Sequence, residues 1–119
     1  MIRFDFTPVF LKNSKRLAGK YPSFKDDLQQ LLLALSDDPN QGVALADGYR
    51  KIRMAIKSKG KGKSGGARVI TLNCLVAQNE GIVTLVSIYD KSDLESISMK
   101  EIRKAYSSLT DPRSPNASE

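Results

Sequence analysis

Residues 49–70 read YRKIRMAIKSKGKGKSGGARVI, and they decide the fold, because two stretches of strand character flank a segment suited to neither helix nor core. From Tyr49 the pattern has a period of two, placing Ile52, Met54 and Ile56 on one face of a strand and Tyr49, Lys51, Arg53 and Lys57 on the other. The following SKGKGKSGG consists of Ser, Lys and Gly alone and predicts a mobile loop. Strand character resumes at Ala67 and continues to about Ala77. QNEG then reads as a hairpin turn into IVTLVSIYDK, whose nearly unbroken apolar run suits a central strand covered on much of both faces. These three strands are expected to be antiparallel neighbours.

Upstream, Ile2, Phe4 and Phe6 alternate with Arg3 and Asp5, which predicts a further strand. Thr7 as N-cap and Pro8 at the first helical position start a helix to about Ala18, stopped by Gly19 and Pro22. Ser23 is placed to cap a second helix. Asp26 and Asp27 sit in its first turn, where they oppose the helix dipole, and Phe24, Leu28, Leu31, Leu32 and Leu35 follow at helical spacing as a core stripe. Downstream, Ser98 with Glu101 forms a capping box, and Ile102, Ala105, Tyr106 and Leu109 predict a last helix over 99–109. The order strand, two helices, three strands, helix predicts an α+β fold with four strands. Residues 1–109 are expected to form one domain and 110–119 a flexible tail. One sheet face is expected to carry the helices, leaving the other to present cations.

The chain has 119 residues, 40% apolar and 27% charged, with one cysteine and no histidine. These counts leave no zinc site and no Ser-His or Cys-His nucleophilic pair. No apolar run approaches a membrane span and the start lacks the features of a secretory signal, so a cytoplasmic protein without membrane contact is expected. Cys74, within VITLNCLV, reads as a small buried hydrophobe. A net charge of +6 favours a polyanionic partner, and residues 49–70 concentrate it, holding eight of the nineteen Lys and Arg residues and no acid. GKGKS is not a phosphate-binding P-loop, since the frame requires glycine where Lys57 stands and the segment joins two strands instead of opening a helix. RNA binding is the better reading. Lys57, Lys59, Lys61 and Lys63, with Arg50, are candidate phosphate anchors, and Tyr49 or Tyr89 a candidate stacking platform.

The segments FTPVFLKNSKRLAGKYPSFKDDLQQLLLAL, YRKIRMAI, GKSGGARVI and LVSIYDKSD, in this order, resemble the RelE/ParE superfamily of toxins from type II toxin–antitoxin systems, closest to its HigB-like branch. The resemblance covers residues 2 to about 106. It implies a RelE-like α+β fold, with two N-terminal helices packed on a curved antiparallel four-stranded sheet and a C-terminal helix. It also implies a ribosome-dependent mRNA endoribonuclease, or mRNA interferase, that cuts mRNA in the A site of the 70S ribosome and so inhibits translation. A cognate antitoxin would block it, DNA would be met only through that antitoxin, and no cofactor or metal is implied. By position, the family's basic pair corresponds to Lys51 and Arg53, its next-strand arginine to Arg68, and the basic residue past the central strand to Lys91. SDLESIS lacks the tyrosine that some relatives carry there. A non-enzymatic ParE-like toxin that binds a protein such as gyrase, and an inert basic module that binds RNA or the ribosome, are the alternatives.

The chemistry follows from the residue types. RNA carries its own nucleophile, the 2′-OH, so a catalyst must align it, remove its proton, stabilise the pentavalent charge and protonate the leaving oxygen. Arg53 and Arg68, always protonated, are candidates for charge stabilisation. Lys51, flanked by Arg50 and Arg53, is the candidate base, although an unperturbed lysine titrates near 10.4 and using it at pH 7 costs about 4.6 kcal/mol. Parity with Ile70, Leu72 and Cys74 puts Arg68 on a presumed core face, so it is expected at the strand's very start, turned outward by the loop.

Overall fold

The computed structural model describes residues 1–110, so the expected tail lies, beyond Thr110, outside the described residues. The architecture is α+β. Its elements are β1 (Ile2–Phe6), α1 (Pro8–Lys20), α2 (Phe24–Asp37), β2 (Val43–Ala44), β3 (Tyr49–Met54), β4 (Ala67–Ala77), β5 (Glu80–Asp90) and α3 (Met99–Ser107). The sheet has five strands in the order β1-β5-β4-β3-β2. β2–β3, β3–β4 and β4–β5 pair antiparallel, whereas β1 runs parallel to β5. A four-stranded, wholly antiparallel sheet is therefore corrected on two counts. The two residues of β2 are too few to show periodicity, and the direction in which β1 joins β5, a strand distant in sequence, depends on every element that connects them.

Helices cover both faces of the sheet. Against one, Phe10 and Leu17 of α1 and Phe24, Leu31 and Leu35 of α2 pack on Ile52, Met54, Val69, Val83, Leu85 and Ile88. Against the other, Ile102 and Ala105 of α3 pack on Tyr49, Ile70 and Val86. The second face is thus only partly free for cations. The stripe read into α2 is the one that is buried, with Leu28 and Leu32 at its margin. Helix α1 passes through Gly19 and ends at Lys20, where Tyr21 adopts an extended backbone. Ser23 makes no capping bond; its hydroxyl instead donates to Asp27 (2.6 Å) and accepts from the Ser58 N–H (2.9 Å), tying α2 to the loop after β3.

Thr7 joins helix and sheet. It is fully buried, accepts from the Phe10 N–H at 3.0 Å as N-cap, and donates at 2.7 Å to the Val86 carbonyl. Val86 is the extra residue of a β-bulge, where the register passes from Ile70↔Ser87 to Thr71↔Leu85. Replacing Thr7 with alanine removes the cap and one of the bulge's partners. The expected cost is about 1–2 kcal/mol, read as a lower urea midpoint at unchanged slope.

Candidate functional site

The alternation read in β3 holds for the side chains that matter. Lys51 lies opposite Ile70 and Arg53 opposite Arg68, on the sheet face that α3 covers only at its Tyr49 end. The Tyr49 carbonyl accepts from the Leu45 N–H at 2.7 Å, on the β2 side. Residues 51 and 53 therefore also turn their backbone groups away from β4. Arg53 and Arg68 consequently occupy a non-hydrogen-bonded pair, in which Cα atoms approach to about 4.5 Å and side chains come closest. Two like charges directly opposed in this way destabilise a sheet.

The conflict over Arg68 resolves on this face. Arg68 shares the face of Ile70, as parity requires, but α3 does not extend over it. Its guanidinium is held by three backbone carbonyls, donating through NH1 to Lys63 (3.2 Å) and Ala67 (3.3 Å) and through NH2 to Ser64 (3.1 Å). Only 8% exposed, it is a fixed cation, with further N–H groups beyond those three bonds. The loop it grips starts its return at Gly66, where any side chain would strike the Met54 carbonyl and the Ile56 N–H. The Gly66 carbonyl accepts from the Lys91 N–H at 3.0 Å, which fastens β4 to the segment after β5.

A pocket of about 240 Å³ opens here, lined by Val43, Lys51, Arg53, Arg68, Lys91 and Glu95. All four residues carried over from the resemblance line it. Among the described residues, Lys51, Arg53 and Arg68 form no ion pair, and Lys91 meets Glu95 at 3.9 Å. The volume lies below the roughly 300–1,000 Å³ of drug-sized sites, which suits a phosphodiester and its immediate neighbours. Lys57 and Lys63, together with Asp27, line an adjoining cavity of about 200 Å³ that shares Arg53 with the first. A larger groove of about 610 Å³ between α1 and α2 is lined mainly by Ala18, Phe24, Leu28 and Leu32, with Lys15 and Lys25 its only charges, and holds nothing suited to acid–base work.

Several residues expected to bind RNA lie elsewhere. Arg50 points to the α1/α2 side and donates to the carbonyls of Gln41 (2.9 Å) and Gly42 (3.2 Å). Tyr49 is 6% exposed and packs edge-on against Tyr106, and burial raises its pKa, so it belongs to the α3 core and is no stacking platform. Tyr89, 3% exposed, is likewise closed to a base; burial pushes its hydroxyl pKa up, against the opposing pull of Arg68. Lys59 is not a mobile anchor, because its ammonium is buried against Asp90 at 2.6 Å and Ser92 at 2.8 Å. The loop is held at both ends, by Lys59 and by Arg68. Lys61 is exposed and lines neither cavity. Cys74 is exposed, not buried.

Glu95 is the residue that the sequence reading missed. It follows the acid-free run by too far for spacing to connect them, and only the turn after β5 carries it to the pocket. Among the described residues no three His, Cys, Asp or Glu side chains come together as a metal site, and no helix is long and apolar enough to cross a membrane. No protein-family model matches the chain, and no curated protein matches it. The likeness to RelE/ParE toxins therefore rests on the segments quoted above alone.

Proposed function

We propose that the chain is a toxin of the type II toxin–antitoxin kind, a ribosome-dependent mRNA endoribonuclease of the RelE/HigB type. One observation carries this reading: cations from β3, β4 and the segment after β5 converge on one phosphate-sized pocket, with Arg53 and Arg68 directly opposed. Apposed like charges cost stability unless an anion comes between them. A surface that only binds protein has no chemical need of that arrangement. In the reaction, the 2′-oxygen attacks the adjacent phosphorus, the bond to the 5′-oxygen breaks, and a 2′,3′-cyclic phosphate and a 5′-hydroxyl result. Lys51, Arg53 and Arg68 hold the phosphate and stabilise its extra negative charge, which is greatest in the transition state. Residues 57 and 63 extend the cationic track beyond Arg53, and an antitoxin that covers the pocket with acidic side chains would neutralise it.

The test is in vitro translation with the 5′ ends of the message mapped. New ends that need ribosomes and repeat every codon would support cleavage in the decoding centre. Lys51→Met should abolish them while ribosome binding persists. Ribosome binding without new ends would make the chain a non-cleaving RNA-binding module, and neither binding nor cutting would favour a protein target such as gyrase.

A further inference from the structure

We propose that Glu95 is the catalytic proton acceptor of this pocket, an inference that rests on the RNA-cleaving reading above. A site that uses the 2′-OH needs a group that is unprotonated at neutral pH and within reach of the phosphate. The pocket lining offers four cations and one carboxylate, that of Glu95. A carboxyl group is ionised at neutral pH with no perturbation at all, whereas a lysine must first be stripped of its proton. Assigning the base to Glu95 leaves Lys51 charged, which is the form that binds phosphate.

Geometry supports the assignment. The segment carrying Glu95 is pinned by backbone bonds: the N–H groups of Asp93 and Leu94 donate to the Asp90 carbonyl at 3.0 and 3.1 Å, and Ser92 N–H to the Asp90 carboxylate at 2.9 Å. Lys91 Nζ donates to the Glu95 carbonyl at 3.1 Å. The backbone is thus fixed while the side chain, 94% exposed, keeps its oxygens for a substrate. Its one ion pair among the described residues, with Lys91 at 3.9 Å, is exposed and too long to consume the carboxylate or to explain it by stability. The charged groups facing it are Lys51 and Arg53 from β3, Arg68 from β4 and Lys91 after β5, and β2 adds only Val43.

The step balances without a cofactor. Glu95 takes the 2′-hydroxyl proton as the 2′-oxygen bonds to phosphorus, and the departing 5′-oxygen takes a proton from the Lys91 ammonium. Proton return from Glu95 to Lys91, neighbours in the lining, restores both groups.

The test compares ribosome-dependent single-turnover cleavage by the full chain with its Glu95→Gln, Glu95→Asp, Lys51→Arg and Lys51→Met variants, with ribosome cosedimentation measured alongside. Glu95→Gln should lower the rate about 100-fold, within the usual range for loss of a general base, at unchanged ribosome binding. Glu95→Asp should recover part of it. Lys51→Arg, which keeps a cation but supplies no base, should stay well above Lys51→Met. Wild-type cleavage that survives Glu95→Gln overturns the proposal, and if Lys51→Arg is then as inert as Lys51→Met, the base is Lys51. A wild-type chain that cuts no ribosome-bound message overturns the functional reading itself, a result distinct from an active chain indifferent to Glu95.

Discussion

Replacing Asp90 with alanine is expected to cost about 3–5 kcal/mol of folding stability, as removal of one member of a buried ion pair does. The Asp90 side chain is fully buried and that of Lys59 is 6% exposed, with 2.6 Å between them. Tyr21 donates its hydroxyl to the second carboxylate oxygen. Without Asp90 the Lys59 ammonium stays in a site that water barely reaches, keeping only Ser92 as a short partner. The pair should therefore behave cooperatively: adding Lys59→Met to Asp90→Ala should restore much of the loss, because two apolar groups leave no orphaned charge. A pH signature accompanies this. Burial alone would raise the Asp90 pKa, but hydrogen bonds from Lys59, Tyr21 and the Ser92 N–H, with the Lys59 charge, outweigh it and hold the carboxyl at about 2. Depressed from 3.8, the group contributes stability that is complete above the unfolded value and lost as pH falls towards 2. At about 1.36 kcal/mol per pH unit, that titratable part is about 2 kcal/mol. Urea unfolding followed from pH 5 to pH 2 should show this loss in the wild type and not in Asp90→Ala. The same decline in both would remove Asp90 as its source. Because Asp90 anchors the Glu95 turn and the glycine-rich loop together, on the proposed function the double variant should also fold better than it cuts.

The clasp marks where the sequence stopped being legible. Lys59 and Lys61 look identical in SKGKGKSGG, and only Asp90, far along the chain, separates a buried ion pair from an exposed cation. The stripe of α2 and the alternation of β3 were readable because each is a local period imposed by one buried face. That alternation also predicted which of Lys51 and Ile52 would face the pocket. Arg50 obeys it too, lying with Ile52, but alternation says nothing of the Gln41 and Gly42 carbonyls that hold it away from the site. Tyr49 and Tyr89 were misread for a related reason: each flanks the cationic cluster, and whether it is wet depends on what packs over it. Strand β2 and the parallel pairing of β1 carry no local signal, since two residues have no period and pairing direction is a property of the whole chain.

On the proposed RNA-cleaving function, Arg68→Ala is expected to lower ribosome-dependent cleavage about 100- to 1,000-fold, the usual loss when a preorganised donor to developing charge is removed. A strut holding the Lys63, Ser64 and Ala67 carbonyls would also matter, so stability must be measured with the rate. Removing Arg68 frees the carbonyls of Lys63 and Ser64, exposed residues that water can reach, together with the buried carbonyl of Ala67, and at the same time relieves its repulsion with Arg53. These changes oppose one another, and the net effect on folding should stay within about 1 kcal/mol. Arg68→Lys sharpens the distinction. Lysine preserves the charge but lacks the planar fork that serves several carbonyls and a phosphate at once. It should hold ribosome binding near the wild-type level and recover little of the cleavage rate. Were the arginine only a strut, cleavage per folded molecule would be unchanged in Arg68→Ala, and every loss of activity would track the unfolded fraction.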